Sequence, residues 1–147
     1  MNYARREKTK ITTNRQQIRD CIVGSSDDVH IVVRRLIMFL GFKSKLLGTQ
    51  YLLDAILYRY ENSNVMRVGM TNTSYGAVAD KWQTTPSRVE RAIRNTISNC
   101  HNNGSLSNFN ELVQAQIIDV NYAPSNGEFV CSVVNWLQLE IQMGRDE

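Results

Sequence analysis

Tyr75-Gly-Ala-Val-Ala-Asp-Lys-Trp-Gln-Thr-Thr-Pro-Ser-Arg-Val-Glu-Arg-Ala-Ile-Arg94 is the stretch that decides the fold of this 147-residue chain. It reads as two helices joined by the three-residue turn Gln83-Thr84-Thr85, the spacing of a helix-turn-helix over about residues 74–102. Such a motif needs a small residue where its helices cross, and Ala79 stands there. It needs apolar residues facing the core, which Val78, Trp82, Val89, Ala92 and Ile93 supply. Trp82 and Val89 are expected to be buried at that crossing with Ala79. Thr85 can cap the second helix, and Pro86 occupies its first position, where a missing N–H costs nothing. Gln83 stands where many such turns carry Gly, and a left-handed backbone there is more costly for Gln.

The second helix has two faces. Val89, Ala92, Ile93 and Ile97 point inward, whereas Ser87, Arg88, Glu90, Arg91, Arg94 and Asn95 point outward. Arg91 and Arg94 are one turn apart on one face. A guanidinium fork can bond the O6 and N7 of a guanine in the major groove, and Glu90 can accept from a cytosine amino group. Asn95 belongs to the same candidate base-reading set. Thr85 and Ser87, near the positive helix end, suit phosphate contacts, and Lys81 is a further candidate for the DNA backbone. Taken alone, one acid and three bases would describe a solvated helix face. Together with the small crossing residue, the short turn and the proline-started helix, they point to double-stranded DNA.

Outward from this motif, Val29, Val32, Val33, Leu36, Ile37 and Leu40 recur at helical spacing after a cap at Ser26 or Asp27, and Gly41 supplies the stop. A second helix is expected from near Ser44 to about Tyr60, weakened by Gly48 unless helices pack closely there. Glu61 to Thr73 reads as a connection with room for one short turn of helix, and the third helix as about Tyr75 to Trp82. The fourth runs from Pro86 to about Asn102, where Gly104 can end it in a left-handed conformation. A short fifth helix fits Ser107 to Gln114, and Ile117 to Ala123 reads as an irregular connection because no second strand accompanies it. Ser125 and Glu128 open a sixth helix whose buried stripe is Phe129, Val130, Val133, Val134, Leu137 and Ile141. The fold class is therefore all-α, a six-helix orthogonal bundle containing a helix-turn-helix. Residues 1–26 read as a basic, flexible arm with room for a short helix around Ile18, Cys21 and Ile22, and residues 27–143 as the helical domain.

The net charge of +3 is unevenly spread. Residues 1–20 carry Arg5, Arg6, Lys8, Lys10, Arg15 and Arg19 against Glu7 and Asp20, whereas residues 101–147 carry Arg145 against six acids. This asymmetry suits an anionic partner on one face. No run of 18 apolar residues is present and the N-terminus lacks the pattern of a signal peptide, so a cytoplasmic protein without a membrane span is expected, associated with the nucleoid. Cys21, Cys100 and Cys131 form neither a disulfide framework nor a CxxC pair. The adjacent Cys100 and His101 read as ordinary core or surface residues rather than metal ligands. No cofactor is expected, and scattered residues such as His30, His101 and Asp80 offer no nucleophile–base spacing for an enzyme.

Thr84-Thr85-Pro86-Ser87-Arg88-Val89-Glu90-Arg91-Ala92-Ile93-Arg94 resembles the motif TT-x-SRVERAIR of the C-terminal effector domain of the sporulation initiation response regulator family, the stage 0 sporulation protein A-like regulators. Gly41, Gly48, Tyr51-Leu52, Ala55-Ile56 and Tyr60 are similar to that family's first two helices. Tyr75, Val78-Ala79, Lys81 and the aromatic Trp82 are similar to its third, and Gly104, Pro124, Asn126 and Glu128-Phe129 to its end. The resemblance covers residues 28–141. It implies a six-helix effector fold that binds short DNA boxes, often as tandem head-to-tail copies forming a homodimer on DNA, and that contacts the RNA polymerase sigma factor. It places the base contacts on Glu90, Arg91 and Arg94, with Arg88 as a backbone contact. Asn95 stands where the family commonly has His, and Gly76 where Pro is usual. Residues 1–27 leave no room for the family's phosphoacceptor receiver domain of roughly 120 residues. The expectation is an effector domain without its receiver, from a receiver-less regulator or as a fragment of a longer one. The rival reading keeps the fold but makes the chain an interaction module for another regulator or for polymerase; the Glu90, Arg91 and Arg94 set argues against it.

Overall fold

The computed structural model describes residues 16–25, 28–63 and 70–142. Within them lie seven helices and no strand: α1 over residues 16–22, α2 Val29–Phe39, α3 Leu47–Glu61, α4 Met70–Trp82, α5 Pro86–Asn102, α6 Asn108–Val113 and α7 Asn126–Leu137. A π-helical turn, Gln138–Gln142, continues α7. The six helices expected from periodicity are all present, and α1 lies in the segment expected to form the arm.

The helix starts follow from local chemistry. Asp28 caps α2, its carboxylate accepting from the His30 amide at 3.0 Å; Ser26 and Asp27, the expected caps, lie outside the described residues. α3 begins three residues later than expected. The Leu46 amide closes a turn onto the Lys43 carbonyl at 3.1 Å, so the chain has already turned when it reaches Leu47. α4 begins at Met70, well before the expected Tyr75, through an Asn72-Thr73-Ser74 stretch of weak helix formers. Ser74 is buried there, and tertiary packing overrides propensity. Ser125 caps α7 by accepting from the Glu128 amide at 3.2 Å, as the S-x-x-E pattern anticipates. At the end of α5, Gly104 takes φ +77°, the left-handed stop.

The connection from α6 to α7 is irregular for a definable reason. Asn110, buried on α6, donates to the Ile118 carbonyl at 2.8 Å and accepts from the Ile117 and Ile118 amides at 2.9 and 2.7 Å. One side-chain amide thus satisfies the backbone groups that a partner strand would otherwise have taken.

α3 runs through the middle of the bundle, packed against α5, α7, α4 and α2. The core gathers Leu36 and Ile37 from α2, Leu52 and Ile56 from α3, Ile93 and Ile97 from α5, and Phe129 and Leu137 from α7. The π turn brings Ile141 into this core, and α1 adds Ile22. Arg19 of α1 also reaches Glu140, Nε to Oε2, at 2.6 Å.

Trp82 departs from expectation. Ala79 and Val89 are buried at the α4–α5 crossing, but Trp82 is 37% exposed. An indole N–H needs an acceptor, and Trp82 finds one outside the crossing: Nε1 donates to the Asp54 carboxylate on α3 at 2.6 Å. The ring then lies along the flank of α3, edge-on to Tyr51 with centroids 5.7 Å apart.

Candidate nucleic-acid interface

The turn between α4 and α5 has a defined geometry. Gln83 takes φ +56°, the left-handed conformation that Gly would adopt more cheaply. The Thr84 amide donates to the Ala79 carbonyl at 2.9 Å and the Gln83 amide to the Asp80 carbonyl at 3.4 Å. These are the paired closures of a Schellman motif. The Gln83 side chain adds a third bond, donating from Nε2 to the Asp80 carbonyl at 3.0 Å. The chain leaves in extended conformation at Thr85, whose hydroxyl accepts from the Arg88 amide at 3.3 Å. Pro86 follows at the first helical position. The direction of α5 is therefore set by backbone bonds within six residues.

α5 presents a sharply divided surface. Val89, Ile93, Thr96, Ile97 and Cys100 are buried. Thr85, Ser87, Arg88, Arg91, Arg94 and Asn95 are exposed, and Glu90 is half-buried. The structure thus brings all the candidate base-reading residues onto one solvent-facing side of one helix. Arg94 pairs with Glu90, Nη1 to Oε1, at 3.1 Å. Among the described residues no ion pair engages Arg88 or Arg91. Lys81, at the end of α4, is exposed but already engaged: its ammonium lies 3.0 Å from Asp54 Oδ1 and 5.7 Å from the Trp82 ring centroid. As a backbone contact it would be shared with that carboxylate.

Three residues that sequence reasoning did not assign to the site support it. Asp54 accepts from both Lys81 and Trp82, which ties the end of α4 to α3. Asn126 donates to the Tyr75 hydroxyl at 3.0 Å and to the Glu90 carbonyl at 3.1 Å. Tyr75, Glu90, Arg94 and Asn126 line one cleft beside α5, with the exposed Tyr122 also on it. Burial holds the Tyr75 hydroxyl above its ordinary titration range, with the Asn126 bond pulling the other way. No sequence signal marks Asp54; for Asn126 the only one is its place in the family-like end segment.

The adjacent Cys100 and His101 turn to different partners. Cys100 Sγ donates to the Leu40 carbonyl at 3.1 Å, and His101 Nε2 lies 2.6 Å from the Asp119 carbonyl. Burial pushes the Cys100 thiol up to about 11. Among the described residues no group of three or more His, Cys, Asp or Glu side chains is placed to hold a metal ion.

Residues 33–137 match the family model described as "Sporulation initiation factor Spo0A C terminal". The match runs from the middle of α2 to the last residue of α7 and so contains the whole helix-turn-helix. The chain belongs to this family. It is a DNA-binding effector domain of the response-regulator type associated with sporulation, and the family is one of DNA-binding domains, not of enzymes. Double-stranded DNA is accordingly its partner. No described helix is long and apolar enough to cross a membrane.

Proposed function

We propose that the chain is a sequence-specific transcription regulator that reads the major groove with α5. The observation that carries this reading is the two-sided character of that helix: Arg91, Arg94 and Asn95 exposed, Val89, Ile93 and Ile97 buried. An α-helix fits the major groove, where each base pair shows a distinct donor and acceptor pattern. Arg91 and Arg94 take guanines, Glu90 accepts from a cytosine amino group, and Asn95 reaches an adjacent base edge. Thr85, Ser87 and Arg88, at the positive end of α5, hold phosphates, and Lys81 adds a backbone contact from the end of α4. The family match supports further proposals: that copies bind tandem boxes as a homodimer, and that the DNA-bound domain contacts the polymerase sigma factor.

The basic N-terminal residues belong to the same proposal. Arg5, Arg6, Lys8, Lys10 and Arg15 precede the first described helix and suit phosphate or minor-groove contact.

Selection of binding sites from a random DNA pool tests the reading. A short enriched motif is expected, bound at least roughly a thousandfold more tightly than random duplex at physiological salt. Removal of residues 1–15 should lower affinity and flatten its salt dependence, because fewer counterions are released. A pool without enrichment would sink the proposal and favour an interaction module.

A further inference from the structure

Asn126 is the first residue of α7 and only 8% exposed. Its amide touches two acceptors on two other helices: the Tyr75 hydroxyl of α4 at 3.0 Å and the Glu90 carbonyl of α5 at 3.1 Å. A carbonyl can only accept, so the amide nitrogen, and not its oxygen, must face Glu90. Both N–H donors of one short side chain therefore join α7, α4 and α5 at a single point.

That point lies at the reading face. Glu90 and Arg94 form their 3.1 Å ion pair one helical turn apart, and both share a cleft with Tyr75 and Asn126. Further along, α5 is also tied by the buried Thr49–Thr96 and Cys100–Leu40 hydrogen bonds, but around Glu90 its other contacts, through Val89 and Ile93, are apolar and non-directional and tolerate small rotations of the helix. A buried amide bonded to a backbone carbonyl of α5 does not. Rotating or lifting the helix would leave the Asn126 donor unpaired in a buried place, which is costly. Base readout needs side chains held to within about 0.5 Å and 10–20°.

We propose that Asn126 and Tyr75 are positioning residues for base readout: the Asn126 bridge sets the rotation of α5 so that Glu90 and Arg94 meet base edges in register. The proposal rests on the reading of α5 as the base-reading helix. Neither residue need touch DNA.

Tyr75→Phe, Asn126→Ala and Arg91→Ala, each made in the whole 147-residue chain, separate the possibilities. Each is measured by thermal melting and by binding to three probes: the selected duplex, its single-base variants and a random duplex. Tyr75→Phe removes one hydroxyl and leaves one Asn126 N–H without its acceptor, so it should stay folded but melt somewhat below the parent. It should lose about three- to tenfold in discrimination between the selected duplex and its single-base variants. Affinity for random duplex and the salt slope should stay unchanged, because no phosphate contact is lost. Asn126→Ala should show the same loss or a larger one; should it fail to fold, Tyr75→Phe decides alone. Parental discrimination in Tyr75→Phe and in folded Asn126→Ala overturns the bridge, as does an equal loss on random duplex. Arg91→Ala guards the underlying reading. If it loses discrimination while the bridge variants do not, only the bridge is wrong; if it too binds like the parent, α5 is not the reading helix.

Discussion

Gly48 on α3 lies against the backbone of Ala92 on α5, so closely that a Cβ on Gly48 would stand 2.4 Å from the Ala92 carbonyl oxygen. Next to this contact the Thr49 and Thr96 hydroxyls meet at 3.2 Å, both buried. The absent side chain lets the central helix seat α5 at short range. Gly48→Ala should therefore destabilise the domain even though Ala is the better helix former by about 1 kcal/mol. The obstacle is backbone, which cannot rotate aside, so a net loss of about 1–3 kcal/mol is expected. A urea titration measures it, and a more stable Gly48→Ala variant would contradict the close approach.

The turn carries the opposite kind of imperfection. Gln83 holds φ +56° with a full Cβ, in a Schellman closure built for Gly. Left-handed backbone costs a residue with a Cβ about 1–2 kcal/mol, whereas the Nε2 bond from Gln83 to Asp80 is an exposed one of small net worth. Gln83→Gly should thus raise stability by about 0.5–1 kcal/mol, visible as a higher melting temperature with unchanged DNA affinity. A lower melting temperature would mean that the side-chain bond outweighs the strain.

Trp82 should behave as a flank residue. A core truncation of this size costs about 3–5 kcal/mol, but Trp82 is 37% exposed and packs on one side only. Its loss also leaves Asp54 with Lys81 as partner. Trp82→Ala is therefore expected to cost about 1–2 kcal/mol and to leave the protein folded at room temperature. Chemical denaturation of the variant checks this; a cost near that of a full core truncation would place the ring inside the crossing.

Periodicity was enough to find every major helix, because each buries one apolar stripe and the stripe is local. The left-handed turn at Gln83 and the outward set on α5 were legible for the same reason: both depend on neighbours within a turn or two. What could not be read was contact at a distance. Trp82 falls on the apolar stripe of α4, yet its indole N–H is drawn to Asp54, 28 residues away. Asn126 looks like an ordinary residue at a helix start, and its bond to Glu90 spans 36 residues. The early start of α4 belongs with these, since nothing local favours helix through Asn72-Thr73-Ser74 and burial of Ser74 accompanies it.

Cys100 predicts a change with pH. Burial raises its thiol from the ordinary 9.0 to about 11, so the folded protein holds that proton more tightly than the unfolded chain does. The contribution to stability is fully present below pH 9 and is lost as the pH rises through about 11. Replacing Cys100 with Ala should therefore flatten the alkaline fall in stability over that window. At pH 8 a thiol reagent should modify the exposed Cys21 quickly and Cys100 slowly. Equal rates would show that Cys100 is accessible.

Arg91 and Arg94 share a face of α5 but differ in the free protein. Arg94 is held by Glu90 at 3.1 Å, whereas no described acid pairs with Arg91. On the proposed reading, binding opens the Glu90 pair so that Arg94 meets a guanine. An exposed pair four residues apart on a helix contributes only about 0.2–0.5 kcal/mol, against about 1–3 kcal/mol for a bidentate contact to guanine, so the base wins. Arg91→Ala and Arg94→Ala should each weaken binding to the selected duplex by about 1–3 kcal/mol and relax preference at one position. Their stability should stay within about 0.5 kcal/mol of the parent, as for most surface substitutions. Gel shifts and melts run side by side give the two readouts. Glu90→Ala frees Arg94 and removes the acceptor for cytosine, so it should relax preference at a neighbouring position while leaving the guanine preference in place. If both arginine variants bind as tightly as the parent, α5 does not read the bases.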